Sequence, residues 1–149
     1  MRYFKLIEII DNILKSKSID FTGLGLIIYR ELKNLPLESI NENCLLGEIL
    51  IDVKSISNKL IEISTKDNIC HDGFHLVNES FDLTDLSYYF STPISNVLKP
   101  SHMKGSRYRT AFYGSLLNDV LCTVSISSRF DVFIFINGKE FTLDEYRLL

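Results

Sequence analysis

Two short runs carry residue types that could do chemistry together. The first is His71-Asp72-Gly73. A carboxylate beside a glycine on a tight turn lets side chain and backbone both approach a ligand. Aspartate can orient a hydroxyl or hold a metal, and a neutral histidine can add a nitrogen donor. An ordinary Asp-Gly turn uses the same residues. The second run is Gly105-Ser106-Arg107-Tyr108-Arg109, placed where a helix should begin. A helix start offers free N–H groups and a positive dipole end. Two arginines and a hydroxyl added there make a phosphate site, because each guanidinium can hold two oxygens at once. Arg107 and Arg109 are two apart, so they leave a helix on different sides and could equally be solvated charges.

Other candidates are excluded or set aside. Gly23-Leu-Gly25 lacks the third glycine and the following helix of a dinucleotide fingerprint. No GxxxxGK[ST] loop exists, and Ser125, Ser127 and Ser128 lack the strand-turn-helix setting of a serine nucleophile. Asp82 and Asp85 have no evident partner and read as solvated. His75 lies in an apolar run and reads as a core residue.

The elements that must position the two runs follow from hydrophobic period and turn residues. Residues 2–17 form an amphipathic helix through Tyr3, Leu6, Ile7, Ile10, Ile13 and Leu14. Residues 23–29 suit a buried central strand. Residues 31–47 read as loop and 48–53 as a short strand. Residues 58–65 read as a helix capped by Ser55 or Ser57. Strands are expected at 74–77 and 83–90, then a loop over 91–104, and a helix over 107–117. Residues 121–127 and 131–136 form a hairpin, Asn137-Gly138 is a tight turn, and 141–149 is a short strand or helix. This order predicts a single α/β domain over 1–149, with a mixed twisted sheet flanked by helices. Residues 1–20 hold the N-terminal helix and 21–140 the core.

Composition bounds the partners. The chain has 149 residues and a net charge of −3. That excludes broad electrostatic binding to nucleic acid, although Lys99, His102, Lys104, Arg107 and Arg109 form a local basic cluster. No apolar run reaches the roughly 20 residues a membrane span needs. Glu8 and Asp11 interrupt the N-terminal apolar stretch, unlike a signal peptide. The expectation is a cytoplasmic protein without membrane insertion. Cys44, Cys70 and Cys122 form no CxxC pair, so reduced, buried thiols are expected.

Taken in order, the pieces resemble the diadenylate cyclase domain, which makes cyclic di-AMP. Members carry Asp-Gly-Ala, often after a histidine, and about thirty residues later Gly-Thr-Arg-His-Arg at a helix start. Here these are His71-Asp72-Gly73-Phe74 and Gly105-Ser106-Arg107-Tyr108-Arg109, and the likeness runs from about Gly23 to Lys139. It implies a homodimer in which two ATP molecules face each other, each 3′-hydroxyl attacking the other's α-phosphate and releasing pyrophosphate. It implies that Asp72 orients or activates the hydroxyl and that His71 lies near a Mn²⁺ or Mg²⁺ ion. Ser106, Arg107 and Arg109 would hold phosphates, with Gly73, Phe74, Gly105 and Tyr108 lining the nucleotide. The chain departs from the pattern at Phe74, for alanine, and at Tyr108, for histidine. Its hairpin reads Ile126-Ser127-Ser128-Arg129-Phe130-Asp131 where members have Ser-Glu-Glu and a Gly-Gly turn. Asp131 is the remaining candidate metal carboxylate there. Two readings follow: an active cyclase with an altered metal site, or a sensor of ATP or cyclic di-AMP that has lost catalysis. A domain with no small ligand would need the two motifs to share their spacing by accident.

Overall fold

The computed structural model describes residues 3–16, 18–102 and 104–149. The elements run α1 (Phe4–Ser16), β1 (Leu24–Tyr29), β2 (Leu37–Ser39), α2 (Val53–Ile63), β3 (Phe74–Val77), β4 (Leu83–Phe90), α3 (Ser106–Gly114), β5 (Val120–Ile126), β6 (Val132–Ile136), β7 (Lys139–Phe141) and α4 (Leu143–Arg147). The strands form one seven-stranded sheet in the order β2-β4-β3-β1-β5-β6-β7. Only β1 and β3 among these neighbours run parallel; the other pairs are antiparallel. This is the expected single α/β domain with a mixed sheet and flanking helices.

Helices cover both faces of the sheet, which explains why every residue of β1 is buried. Leu24, Leu26 and Ile28 pack on one side with Leu6, Ile10 and Ile13 of α1 and with Ile56 and Leu60 of α2. Ile27 and Tyr29 pack on the other with Tyr108, Ala111 and Phe112 of α3. Each fully buried Leu or Ile in these layers contributes about 2 kcal/mol of transfer free energy. Residues 2 and 17, the ends of the helix expected from the apolar spacing, lie outside the described residues, as does Met103 in the loop before α3.

Four expectations are corrected. Residues 48–53 do not form a strand: Leu50 makes an isolated bridge to Leu83, and α2 already begins at Val53. The cap of α2 is Asp52, whose carboxylate accepts the Ser55 N–H at 2.9 Å. Ser57 instead turns its hydroxyl onto the Val53 carbonyl inside the helix. The stretch expected as loop contains β2, a three-residue edge strand on β4, too short to show a period. Asp82 is not free in solvent but pairs with Lys5 at 2.8 Å, and Asp85 accepts from the Thr84 hydroxyl at 2.8 Å.

The cysteines give the largest correction. Cys44 and Cys70 are disulfide-bonded, with Cα atoms 5.6 Å apart, and only Cys122 of the three is free. Wide spacing in sequence concealed the pair because α2 folds back between them. The bond ties the loop after β2 to the residue immediately before His71. Closing a loop with a sequence separation of 26 residues removes unfolded-chain entropy worth about 3 kcal/mol. Reduction with a thiol, or Cys44→Ser with Cys70→Ser, should therefore lower the urea midpoint by an amount equal to about 3 kcal/mol. An unchanged midpoint would mean that the bridge adds nothing to the fold.

Candidate functional site

The two sequence runs meet at one end of the sheet, where β1 and β3 start and β5 ends. Gly73 takes φ +78, and a Cβ there would lie 2.5 Å from the Tyr88 carbonyl oxygen. Only glycine lets the chain pass β4 this closely. Asp72 is thereby carried past the strand end with its side chain 71% exposed. The His71 Nε2 lies 3.2 Å from Asp72 Oδ1, and His71 Nδ1 lies 3.1 Å from the Asn68 carbonyl oxygen. A carbonyl accepts only, so Nδ1 carries the proton. In the neutral ring Nε2 then presents a lone pair beside a carboxylate. That donor set, with the ring held by a backbone carbonyl, fits a shared divalent cation.

The start of α3 supplies the opposite wall. Its cap is Gly105, which makes no side-chain cap hydrogen bond. The orphan N–H groups of the first turn are left for a ligand. Arg107 lies under the sheet end, against Gly23. A Cβ on Gly23, at φ +83, would fall 2.5 Å from the Arg107 guanidinium and 2.5 Å from the Ile126 carbonyl oxygen. Burial lowers the pKa of Arg107, and the Asp72 carboxylate works against that shift. Arg109 points elsewhere, donating from Nε to the Lys104 carbonyl at 3.0 Å. The two arginines thus face different cavities, as their spacing implied.

Three adjoining cavities share Ser106. One, of about 250 Å³, joins Asp72, Gly73 and Phe74 to Ser106, Arg107 and Thr110. A second, of about 650 Å³, runs from Gly105, Ser106 and Arg109 to Tyr89, Thr92 and Tyr113. The third, of about 280 Å³, lies behind the helix start, with Arg107, Ser125, Ser127 and Asp131 in its wall. Asp131 therefore adjoins the Arg107 side of the site and does not share a cavity with Asp72. Among the described residues no three His, Cys, Asp or Glu side chains gather as a metal cluster. Any cation at His71 and Asp72 must complete its shell from ligand oxygens and water, as magnesium commonly does.

Phe74 and Tyr108, two of the points at which the sequence departs from the motifs it resembles, have structural work. Phe74 is 5% exposed and stacks edge-on to Phe90, with centroids 5.6 Å apart. Cβ atoms on Gly25 and Gly114 would fall 2.6 Å and 2.2 Å from these two rings. The aromatic pair fits because glycine stands on either side. Phe74 lines the pocket with one edge and is otherwise core. Tyr108 is 4% exposed, packs against Phe133 and Phe135, and donates its hydroxyl to Glu140. Burial and that carboxylate raise its pKa. It locks α3 to the β6–β7 hairpin while its flank borders the third cavity.

Sequence reasoning missed Tyr89 and Thr92. Tyr89 is a ring 57% exposed on the wall of the largest of these three cavities. Its only signal was an aromatic on the outward face of β4.

No family model matches the chain, and no curated protein matches it. Solved structures do. DacA of Staphylococcus aureus, a diadenylate cyclase crystallised as a double mutant, matches with a TM-score of 0.63 at 17% identity, over 97% of this chain and 87% of that one. This chain has the diadenylate cyclase-like fold. A hypothetical membrane-spanning protein of Bacillus cereus matches with a TM-score of 0.63 at 18% identity, over 89% of this chain. The chain spans 59% of that protein's length. Among the described residues no helix is long and apolar enough to cross a membrane. At these identities the likeness establishes the fold that the two motifs had suggested.

Gly23→Ala should destabilise by about 2 kcal/mol or more, from the left-handed φ and the two short contacts. In an Arg107→Ala background the penalty should shrink, because one of those contacts is gone. Urea unfolding of the four proteins checks this. An equal penalty in both backgrounds would show that Arg107 does not rest on Gly23.

Proposed function

We propose that this chain is an adenine-nucleotide-binding domain of diadenylate cyclase type, condensing two ATP molecules to cyclic di-AMP with release of pyrophosphate. The observation that carries the reading is the single cavity that holds Asp72 against Ser106 and Arg107 at an open helix start. A carboxylate suited to a hydroxyl shares one cavity with a cation suited to a phosphate.

The roles follow from the chemistry of each side chain. Ser106 and the first-turn N–H groups of α3 hold phosphate oxygens, and Arg107 adds a planar, doubly donating cation. Arg109 and Lys104 extend the positive wall along the larger cavity, where the exposed face of Tyr89 supports the base by stacking. Asp72 accepts a hydrogen bond from the ribose 3′-hydroxyl and orients its oxygen for attack. His71 Nε2 and Asp72 would hold a Mn²⁺ or Mg²⁺ ion, which would supply charge neutralisation at the phosphoryl oxygens. The attacking hydroxyl belongs to one ATP and the α-phosphate to another, so two sites must face each other. A twofold dimer provides this, and most of the catalysis is the holding of both reactants in line.

Purified protein incubated with ATP and Mn²⁺ or Mg²⁺ should yield cyclic di-AMP and pyrophosphate by mass spectrometry. Asp72→Asn should abolish product and weaken ATP binding much less than Arg107→Ala does, since the amide oxygen can still accept from the hydroxyl but no longer activates it. Arg107→Ala should weaken ATP binding about 10- to 100-fold, the loss of a charge-assisted pair. ATP binding without product would overturn the cyclase activity and leave a nucleotide sensor. No binding of ATP or cyclic di-AMP would overturn both.

A further inference from the structure

His75 has no part in the reading above, yet it is the most enclosed titratable side chain near the site. It follows Phe74 in β3 and is 0% exposed. Its Nδ1 accepts the backbone N–H of Ser87 at 3.0 Å. An accepting Nδ1 carries no proton, so the neutral ring has its proton on Nε2. Nε2 has no hydrogen-bond partner among the described residues. A leucine would fill this place without a buried, unpaired donor, so the histidine is there for its Nδ1.

Ser87 shows what that acceptor serves. Between Phe74↔Tyr88 and Leu76↔Asp85 the β3–β4 register slips: two steps along β3 match three along β4. The extra residue of such a bulge is left out of the ladder. Ser87 is fully buried there with φ 60, a left-handed conformation that a non-glycine residue holds only when its surroundings enforce it. Its N–H, removed from the ladder, goes to His75. Its hydroxyl donates to the backbone carbonyl of Asp72 at 2.8 Å.

We propose that His75 and Ser87 are positioning residues, a buried relay in which the imidazole fixes the bulged Ser87 and the Ser87 hydroxyl fixes the backbone that presents Asp72. The chain is continuous: His75 ring, Ser87 backbone, Ser87 hydroxyl, Asp72 carbonyl. Burial, with the charges of Arg107 and His71, pushes the His75 pKa down to about 3, so the ring remains a neutral acceptor at neutral pH. The disulfide at Cys70 restrains the near side of the loop, and Ser87 restrains its far side. Asp72, exposed itself, is thereby carried on a backbone anchored at both ends.

The loop-anchoring part stands on geometry alone; its consequence for turnover rests on the proposed function. Hydrogen exchange of backbone amides 70–75 reads the first part. Ser87→Ala keeps the N–H on His75 and loses only the hydroxyl. It should raise exchange of these amides about tenfold, as expected when one buried hydrogen bond is lost. His75→Leu should do the same, whereas His75→Asn, whose Oδ1 can stand where Nδ1 stood, should restore protection. Unchanged exchange in Ser87→Ala, or His75→Asn as exposed as His75→Leu, overturns the relay. Where wild type makes cyclic di-AMP, Ser87→Ala should lower turnover at saturating ATP about tenfold without changing ATP affinity, a loss confined to orientation. An equal loss of affinity would make Ser87 a packing residue only. Wild type without product counts against the proposed function, and the exchange measurement still decides the relay.

Discussion

A guanidinium taken out of water needs a counter-charge and room, and the placement of Arg107 meets both needs at the end of the sheet. Burial disfavours its charge, and the carboxylate of Asp72 offsets that cost. Room comes from Gly23, where any side chain would meet the guanidinium. Asp72 must then sit on the far side of the same small cavity, which places a hydrogen-bond acceptor opposite a cation. The strand order, the turn at Gly73 and the angle of α3 all serve that juxtaposition. Without it the chain would be a well-packed α/β layer with two unrelated polar turns.

The glycines and aromatics of the site form a second level of constraint. Gly25 and Gly114 leave space for Phe74 and Phe90, so the bulk of Phe74 beside the pocket is absorbed into the core. Tyr108 is likewise taken up by packing. Its hydroxyl holds Glu140 and so ties α3 to the sheet edge. The bulk of Phe74 and Tyr108 goes into packing that fixes the helix start, while Ser106 and Arg107 still line the cavities.

Much of the fold was legible in the sequence because its central elements are long and periodic. The helix at residues 4–16, the buried strand at Leu24–Tyr29 and the final hairpin all announce themselves by burial period and turn residues. The two motifs were legible because a glycine turn and a helix start carry local chemistry, and the fold brings them onto one cavity. What escaped was non-local. β2 has three residues and no period. Cys44 and Cys70 are brought together by α2, which no spacing reveals. Tyr89 became a site residue only when β4 closed one wall of a cavity. Asp131 belongs to a hairpin whose direction depends on Phe130 at φ 66 and on its stacking against Phe21 at 4.5 Å. Both glycines of the Gly-Leu-Gly run border the site for a steric reason, leaving room for Arg107 and Phe74.

The most direct test of the account is to add ATP with Mg²⁺ to isotopically labelled protein and follow every backbone amide by NMR. The account predicts shifts concentrated at Asp72–Phe74, at Gly105–Thr110 and at Tyr89, with the far face of the sheet, α1 and α2 unaffected. Shifts centred elsewhere, or none at millimolar ATP, would contradict it.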